Sequence, residues 1–134
     1  MSIPLSALRQ NYVVLPETAT ARDASRAVRA SGDDWTVLVV ELGDGRFAVL
    51  QIGELLAALQ AWSGGSLRPM HLLAALNEVP GLLAERAGAA VEQDAITLRG
   101  ARQEQRRRHQ RRLVVTSGGT VVGVLADDNM RGGG

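Results

Sequence analysis

The residues of this chain that could do chemistry are arginines, carboxylates and two isolated histidines. Seven arginines fall within fourteen positions: Arg99, Arg102, Arg106, Arg107, Arg108, Arg111 and Arg112. A guanidinium presents a fixed fork of donors that matches phosphate oxygens, so the cluster could bind phosphate, a nucleic acid or an acidic partner. It could equally be a solvated helix face. His71 and His109 lie 38 positions apart and cysteine is absent, which argues against a histidine or thiolate metal site.

The acidic pair Asp127–Asp128, followed by Asn129, offers oxygens to a hard cation such as Mg²⁺ or Ca²⁺. Such a run more often caps a helix or faces water, and we predict no metal site. The sequence contains no serine, histidine and acid arrangement, no phosphate-binding P-loop and no GxGxxG following a strand. We therefore predict that the protein is not an enzyme.

Composition limits the class of protein further. The length of 134 residues, with 46% hydrophobic and 22% charged residues, is typical of one compact domain. No uncharged apolar run approaches 18 residues and no secretion signal opens the chain, so we expect a cytoplasmic protein without a membrane partner. An aromatic content of 3% argues against a stacking platform for single-stranded nucleic acid, and a nucleic-acid partner is not expected.

An internal repeat determines the architecture we expect. A shift of 75 positions aligns residues 39–55 with residues 114–130 without a gap. Each copy has two apolar runs joined by a four-residue turn that contains glycine, at 42–45 and at 117–120. Because glycine tolerates the positive φ of tight turns, each copy predicts a β-hairpin. The apolar runs are 35–40 and 47–50 in the first copy and 113–115 and 121–125 in the second.

Helix signals flank both hairpins. Thr20 with Asp23 three positions later predicts a capping box, and Gly32 predicts the end of that helix. The apolar runs are nearly continuous, so we expect helices to cover the strands. Further helices are predicted at 53–60, 69–76, 82–86 and 94–109, with strand stubs at 13–15 and 90–91.

This order of elements, present twice, resembles a tandem pair of CBS (cystathionine beta-synthase) domains over nearly the whole chain. The most diagnostic stretch is Arg111–Thr116 followed by Val121–Leu125, in which a basic residue enters a strand and Gly123 begins a glycine–hydrophobic–hydrophobic step. The first copy has Ala48 in place of that glycine. The resemblance implies an α/β fold of two strand-helix-strand-hairpin-helix repeats packed as a pseudo-twofold pair. The last helix would be truncated after Met130.

The resemblance also implies a function, that of a regulatory module which binds adenosine-containing ligands in clefts between the repeats. AMP, ADP, ATP or S-adenosylmethionine are the expected ligands, and no cofactor is required. Members of the family typically follow the glycine step with Ser or Thr and then, three positions later, with an Asp that holds ribose. The second copy has Ala126 and Asn129 at these positions, and the first has Gln51 and Glu54.

The ligand contacts carried over from this resemblance start with Glu54, which keeps the acidic charge and would hold ribose. Asn129 could still bond a ribose hydroxyl, without the extra strength of a charge-assisted hydrogen bond. The other candidate contacts are Arg111 and Arg112 for phosphate, Val40, Val115 and Leu125 for a purine slot, and Asp128 beside Asn129.

Partners are predicted from the apolar helices and from the C-terminus. The helices at 53–61 and 69–77 carry many leucines, so we expect a homodimer formed through them, with an effector protein or fused domain as a further partner. A competing hypothesis is a ligand-free dimerisation or scaffold module. Its Arg131–Gly134 tail would be a flexible linker to an effector, or an end used for conjugation in the manner of ubiquitin-like proteins. We place the first repeat at 1–62, a linker at 63–68, the second repeat at 69–130 and the tail at 131–134.

Overall fold

The computed structural model describes residues 2–33 and 35–126. Across these residues the chain forms four α-helices: α1 (Ala21–Ser31), α2 (Ile52–Ser63), α3 (Pro69–Leu72) and α4 (Leu98–Arg108). It also forms seven strands: β1 (Tyr12–Pro16), β2 (Val37–Glu41), β3 (Arg46–Gln51), β4 (Ala87–Ala89), β5 (Val91–Glu92), β6 (Arg112–Ser117) and β7 (Thr120–Ala126). Short 3₁₀ turns lie at Leu5–Ala7, Leu76–Glu78, Ala84–Arg86 and Gln93–Ala95. Both predicted hairpins are present.

The described chain divides into two compact units. One is continuous in sequence and covers residues 11–88; we call it the continuous unit. The other combines residues 2–10 with residues 89–126; we call it the split unit. Each unit contains one hairpin and its own core.

The continuous unit contains a four-stranded sheet in the order β1-β2-β3-β4. β1 lies parallel to β2, with Leu15 opposite Val40, and β2 lies antiparallel to β3, with Val40 opposite Ala48. The residues from Val37 to Val40 have no exposed surface, which explains why β2 is continuously apolar and not alternating. Its core joins residues of the sheet, α1, α2 and the segment after α3, including Leu38, Leu50, Leu55, Leu59, Leu76 and Leu82.

Capping fixes the ends of α1 as the sequence predicts. The Thr20 hydroxyl accepts a hydrogen bond from the Asp23 backbone N–H at 3.0 Å, and Asp23 Oδ2 accepts one from the Thr20 backbone N–H at 3.1 Å. Gly32 ends the helix at a φ of 74°, in the left-handed region that glycine enters without strain.

The split unit contains a three-stranded sheet in the order β5-β6-β7, with β5 parallel and β7 antiparallel to β6. The N-terminal segment extends this sheet beside β7. Arg9 N donates to Val124 O at 2.8 Å, and Val124 N donates to Arg9 O at 3.2 Å. Ile3 N donates to Gln93 O at 3.0 Å, and the side-chain Nε2 of Gln93 donates to Ile3 O at 2.9 Å. The Ile3 side chain is fully buried in a core that also contains Leu113, Val115 and Leu125.

The internal repeat extends to individual side-chain hydrogen bonds. In the continuous unit, Glu17 Oε2 accepts a hydrogen bond from the backbone N–H of Gly43 at 2.8 Å. In the split unit, Glu92 Oε1 accepts one from Gly118 N, also at 2.8 Å. Glu92 lies 75 positions after Glu17, and Gly118 lies 75 positions after Gly43. In both units, therefore, a glutamate at or just after the end of the parallel strand accepts a hydrogen bond from the hairpin turn.

Three predicted helices are wrong in extent. The helix that starts at Pro69 ends at Leu72, not near Leu76, because the backbone of residues 74–77 bonds instead to the loop between β1 and α1. Leu76 N donates to Ala19 O at 2.8 Å, and Asn77 N donates to Glu17 O at 3.0 Å. The helix predicted at 82–86 is only a 3₁₀ turn, and the chain then enters β4, which pairs with β3.

The long helix predicted from Asp94 to His109 is also shorter than expected. Ile96 is extended, with φ −150° and ψ 149°, so α4 begins only at Leu98, where the Thr97 hydroxyl caps the N–H of Gly100 at 3.1 Å. His109 ends it in a left-handed conformation with φ 55°. The predicted truncation after Met130 and the tail at 131–134 lie outside the described residues.

In the part of the chain that the structure describes, every helix is too short or too polar to cross a bilayer.

Candidate functional site

Glu54 lies in the first turn of α2 and bonds in two directions. Its Oε1 accepts a hydrogen bond from the Gln51 backbone N–H at 3.0 Å, which closes a capping box at the start of the helix. Its Oε2 forms an ion pair with Arg86 Nε at 2.7 Å. Arg86 Nη1 donates to Leu82 O at 3.0 Å, so the guanidinium is held by the chain that follows α3 as well as by Glu54.

A cleft of about 650 Å³ opens beside this ion pair in the continuous unit. One wall is a stripe of α2, because residues three and four positions apart lie on the same helix face. Alanines along the stripe leave space where larger side chains would fill it. The residues that line the cleft are Glu54, Ala57, Ala58, Ala61, Trp62, Pro80, Gly81, Leu82, Glu85 and Arg86.

Trp62 closes one end of the alanine stripe. Its ring meets the ring of His71 edge to face, with centroids 5.3 Å apart and planes at 77°. His71 is positioned in turn, because its Nδ1 accepts a hydrogen bond from the Arg68 backbone N–H at 3.1 Å. The indole is therefore supported on one side by His71 while 40% of Trp62 remains exposed.

The charges around the cleft are two glutamates and one arginine. Glu85 is the second glutamate: its side chain is 75% exposed and its Oε2 lies 3.9 Å from Arg86 Nη1. Arg86 is the one basic side chain among the described residues that line the cleft. The lining therefore carries a formal charge of −1 at neutral pH.

The other residues proposed from the sequence lie as follows. Val40 is fully buried in the core of the continuous unit, and Val115 and Leu125 are fully buried together in the core of the split unit. A purine could reach any of the three only if neighbouring side chains moved. Arg111 is exposed, and Arg112 opens β6 opposite Ala126. Asp128 and Asn129 lie outside the described residues.

Part of the arginine cluster is structural. Glu104 pairs with Arg107 at 2.7 Å and with Arg108 at 2.9 Å. The hydrogen bond from Arg107 lowers the pKa of the Glu104 carboxyl, and the bond to Glu104 raises that of Arg107. Arg108 also donates to Ala89 O at 2.7 Å, and Arg102 donates to Ala126 O. The two ion pairs lie within α4, and the bond to Ala126 holds the helix to β7 of its own unit.

Metal-ligating side chains do not gather in groups of three or more within residues 2–33 and 35–126.

Sequence reasoning selected Glu54 and missed two neighbours, Arg86 and Trp62. Trp62 lies eight positions after Glu54 on the same helix, so helical spacing alone could have placed it close to the same face. Arg86 lies 32 positions away in sequence and belongs to no motif. Its position depends on how the segment after α3 folds back beside α2.

Solved structures resemble this chain in fold. Hypoxic response protein I, solved with two coordinated zinc ions, is 16% identical with a TM-score of 0.58, and the match covers 94% of each chain. The CBS domain protein PAE2072 from Pyrobaculum aerophilum, complexed with AMP, is 24% identical with a TM-score of 0.56, over 91% of this chain and 85% of that one. CBSX2 in complex with AMP is 20% identical with a TM-score of 0.52, over 95% and 90%. No protein-family model and no curated protein matches the sequence.

Proposed function

We propose that this chain, which has the α/β fold of a CBS domain pair, is a regulatory module that senses an adenine nucleotide or another adenosyl ligand and is not a catalyst. The observation that carries the proposal is the cleft beside Glu54, an acidic residue in the first turn of α2 with room for a small ligand next to it. Its volume of about 650 Å³ is within the usual range for small-molecule sites. The AMP complexes of PAE2072 and CBSX2 support the choice of ligand class.

In this proposal the ribose binds at Glu54. A carboxylate has enough lone pairs to accept hydrogen bonds from two ribose hydroxyls while keeping its bond to the Gln51 backbone. The half-exposed ring of Trp62 offers a face on which a purine can stack, and the alanines of α2 supply an apolar surface between the two. Arg111 and Arg112 remain proposed phosphate contacts of the split unit, and Asp128 and Asn129 remain proposed contacts outside the described residues.

Calorimetric titration with AMP, ADP, ATP and S-adenosylmethionine tests the proposal. We expect at least one ligand to bind the wild-type protein, and we expect Glu54→Ala to weaken that binding at least tenfold. Glu41→Ala removes an exposed glutamate that does not line the cleft and is the matched control. Because Glu54→Ala also opens the cap of α2, its melting temperature is measured alongside, and Arg86→Ala provides a second change that leaves the cap intact. No heat from any ligand up to millimolar concentration would overturn the proposal.

A second candidate function is association without a ligand. It is favoured by the large apolar side chains that α2, α3 and the residue directly after α3 expose. Leu56 is 41% exposed, Met70 67% and Leu73 56%. Apolar side chains grouped in this way commonly mark an interface, and a second copy of this chain is the partner we propose for them.

A further inference from the structure

The charges that line the cleft do not suit an anionic ligand. Arg86 is the one basic residue among the described lining residues, and it is already engaged. Its Nε lies 2.7 Å from Glu54 and its Nη1 lies 3.0 Å from Leu82 O. The side chains of Arg86 and Glu54 are only 27% and 30% exposed, so the pair is partly shielded from water.

Glu54 and Leu82 occupy only two of the five N–H donors of Arg86, so a phosphate group could bind the guanidinium without displacing Glu54. The positive charge of Arg86 is nevertheless already balanced by Glu54, so a bound phosphate would share one guanidinium with that carboxylate and be repelled by it. Glu85 adds a further negative charge 3.9 Å from the same guanidinium. A nucleotide bound here would thus meet two carboxylates and one arginine that is already neutralised.

A ligand without phosphate meets none of these penalties. Ribose hydroxyls donate hydrogen bonds, and Glu54 can accept them while it stays paired with Arg86. A sulfonium or ammonium group gains attraction from the Glu85 carboxylate, which is 75% exposed beside the cleft. The alanine stripe between Glu54 and Trp62 contributes no charge of its own.

We propose that this cleft selects adenosyl ligands that carry no phosphate, namely an uncharged nucleoside or a sulfonium-bearing one, and discriminates against nucleoside phosphates. This inference rests on the proposed function, since it presupposes that an adenosyl ligand binds at Glu54. It assigns the selectivity to Glu85 and to the Glu54–Arg86 ion pair.

Equilibrium dialysis of the whole chain against adenosine, S-adenosylmethionine, AMP and ATP at low salt tests the selectivity. We expect adenosine and S-adenosylmethionine to bind at least tenfold more tightly than ATP. AMP should bind with an affinity between that of ATP and that of the two phosphate-free ligands. Because the discrimination is a repulsion, added salt should narrow the gap by screening it.

Reversing a charge at the cleft, and the same charge elsewhere, separates the effect of the cleft's own charges on ligand binding from the effect of the protein's net charge. Glu85→Arg places an unpaired guanidinium beside the cleft and should strengthen AMP binding several-fold while weakening S-adenosylmethionine binding. Glu78→Arg makes the same change in net charge at an exposed residue that does not line this cleft, and should leave the ratio unchanged.

The outcomes distinguish the inference from the function on which it rests. Tighter binding of AMP or ATP than of adenosine would overturn the charge selectivity and leave adenosyl sensing standing. If Glu85→Arg and Glu78→Arg changed the ratio of AMP to S-adenosylmethionine binding equally, the assignment of the selectivity to this cleft would be overturned. Absence of binding by all four compounds would overturn the proposed function and this inference with it.

Discussion

Gly123 on β7 faces Leu8 of the N-terminal segment at very close range. A Cβ at this position would lie 2.6 Å from Leu8 Cβ, much closer than two carbon atoms can approach without strain. The equivalent residue of the continuous unit, Ala48, carries a Cβ and is fully buried. A glycine is therefore required at this repeat position only in the split unit, where the N-terminal segment lies against the strand.

We predict that Gly123→Ala destabilises the protein by about 1 to 3 kcal/mol, because one added methyl group overpacks this contact. Chemical denaturation monitored by circular dichroism measures the change. Gly53→Ala is the matched control: an added Cβ meets nothing within 4 Å there, and replacing a helical glycine should stabilise α2 by up to about 1 kcal/mol. Equal effects of the two substitutions would contradict the steric explanation.

The sequence allowed only part of the candidate site to be predicted at this scale. Glu54 could be found because the resemblance to CBS domains places an acidic residue at the start of the helix that follows a hairpin, and both elements have local sequence signals. Arg86 could not, because no local pattern relates it to a residue 32 positions earlier. The apolar candidates Val40, Val115 and Leu125 followed from their strands, but strand patterns do not tell whether a side chain lines a slot or fills a core.

Among the elements, α1 and the two hairpins could be predicted closely because their signals are local. The Thr20–Asp23 capping box, Gly32 and the glycine turns lie within a few residues of the structure they specify. The helix predicted over 69–76 failed because the N–H groups of Leu76 and Asn77 bond to the loop before α1. Helical spacing cannot reveal such a competing partner.

The capping box of α1 also predicts a pH dependence. The hydrogen bond from the Thr20 backbone N–H, and then that from its side chain, lower the pKa of the Asp23 carboxyl below its ordinary value of 3.8. A carboxyl whose pKa is lower in the folded state stabilises the fold above its unfolded pKa, and this contribution is lost as the pH falls through the folded one.

We therefore expect Asp23→Asn to reduce the loss of stability between neutral pH and pH 3, because the titrating group is removed. Urea unfolding at a series of pH values measures the slope for both proteins. Thr20→Ser preserves the hydroxyl and should retain the wild-type slope. An unchanged slope in Asp23→Asn would show that the cap carries no such linkage.

At the scale of the whole molecule, the exposed apolar side chains predict self-association. The exposed side chains are Leu56 in α2, Met70 in α3 and Leu73 directly after α3. Each of them is more than 40% exposed. Burying such side chains against a second copy removes apolar surface from water, at roughly 25 cal/mol per Å².

Analytical ultracentrifugation should show a dimer of the 14.2 kDa chain, with or without ligand. The double substitution Leu56→Glu and Met70→Glu should give the monomer, because it places two charges in the interface. Leu5→Glu changes a comparably exposed leucine of the split unit and is the control, while Glu54→Ala should leave the dimer intact. A dimer that survives the double substitution would place the interface elsewhere.

The division into two units could be predicted only in part. The internal repeat predicts two similar sheets, and each unit has one, with the same glutamate-to-turn hydrogen bond. Which segments complete each sheet could not be predicted. The extended residues near Arg9 and at β4 are short and carry no strand periodicity, so their pairing depends on the hydrogen-bonding edge available to them.

The pairing of Arg9 with Val124 has a consequence for synthesis on the ribosome. Val124 is made 115 residues after Arg9, so residues 2–10 wait for the strand that bonds them. At about 5 to 20 residues per second, the interval is of the order of ten seconds. All of the continuous unit is translated within that interval and can fold during it, whereas the split unit must wait for β7. Changes to residues 2–10 should thus impair formation of the β5-β6-β7 sheet. They should leave the folding of the continuous unit unaffected.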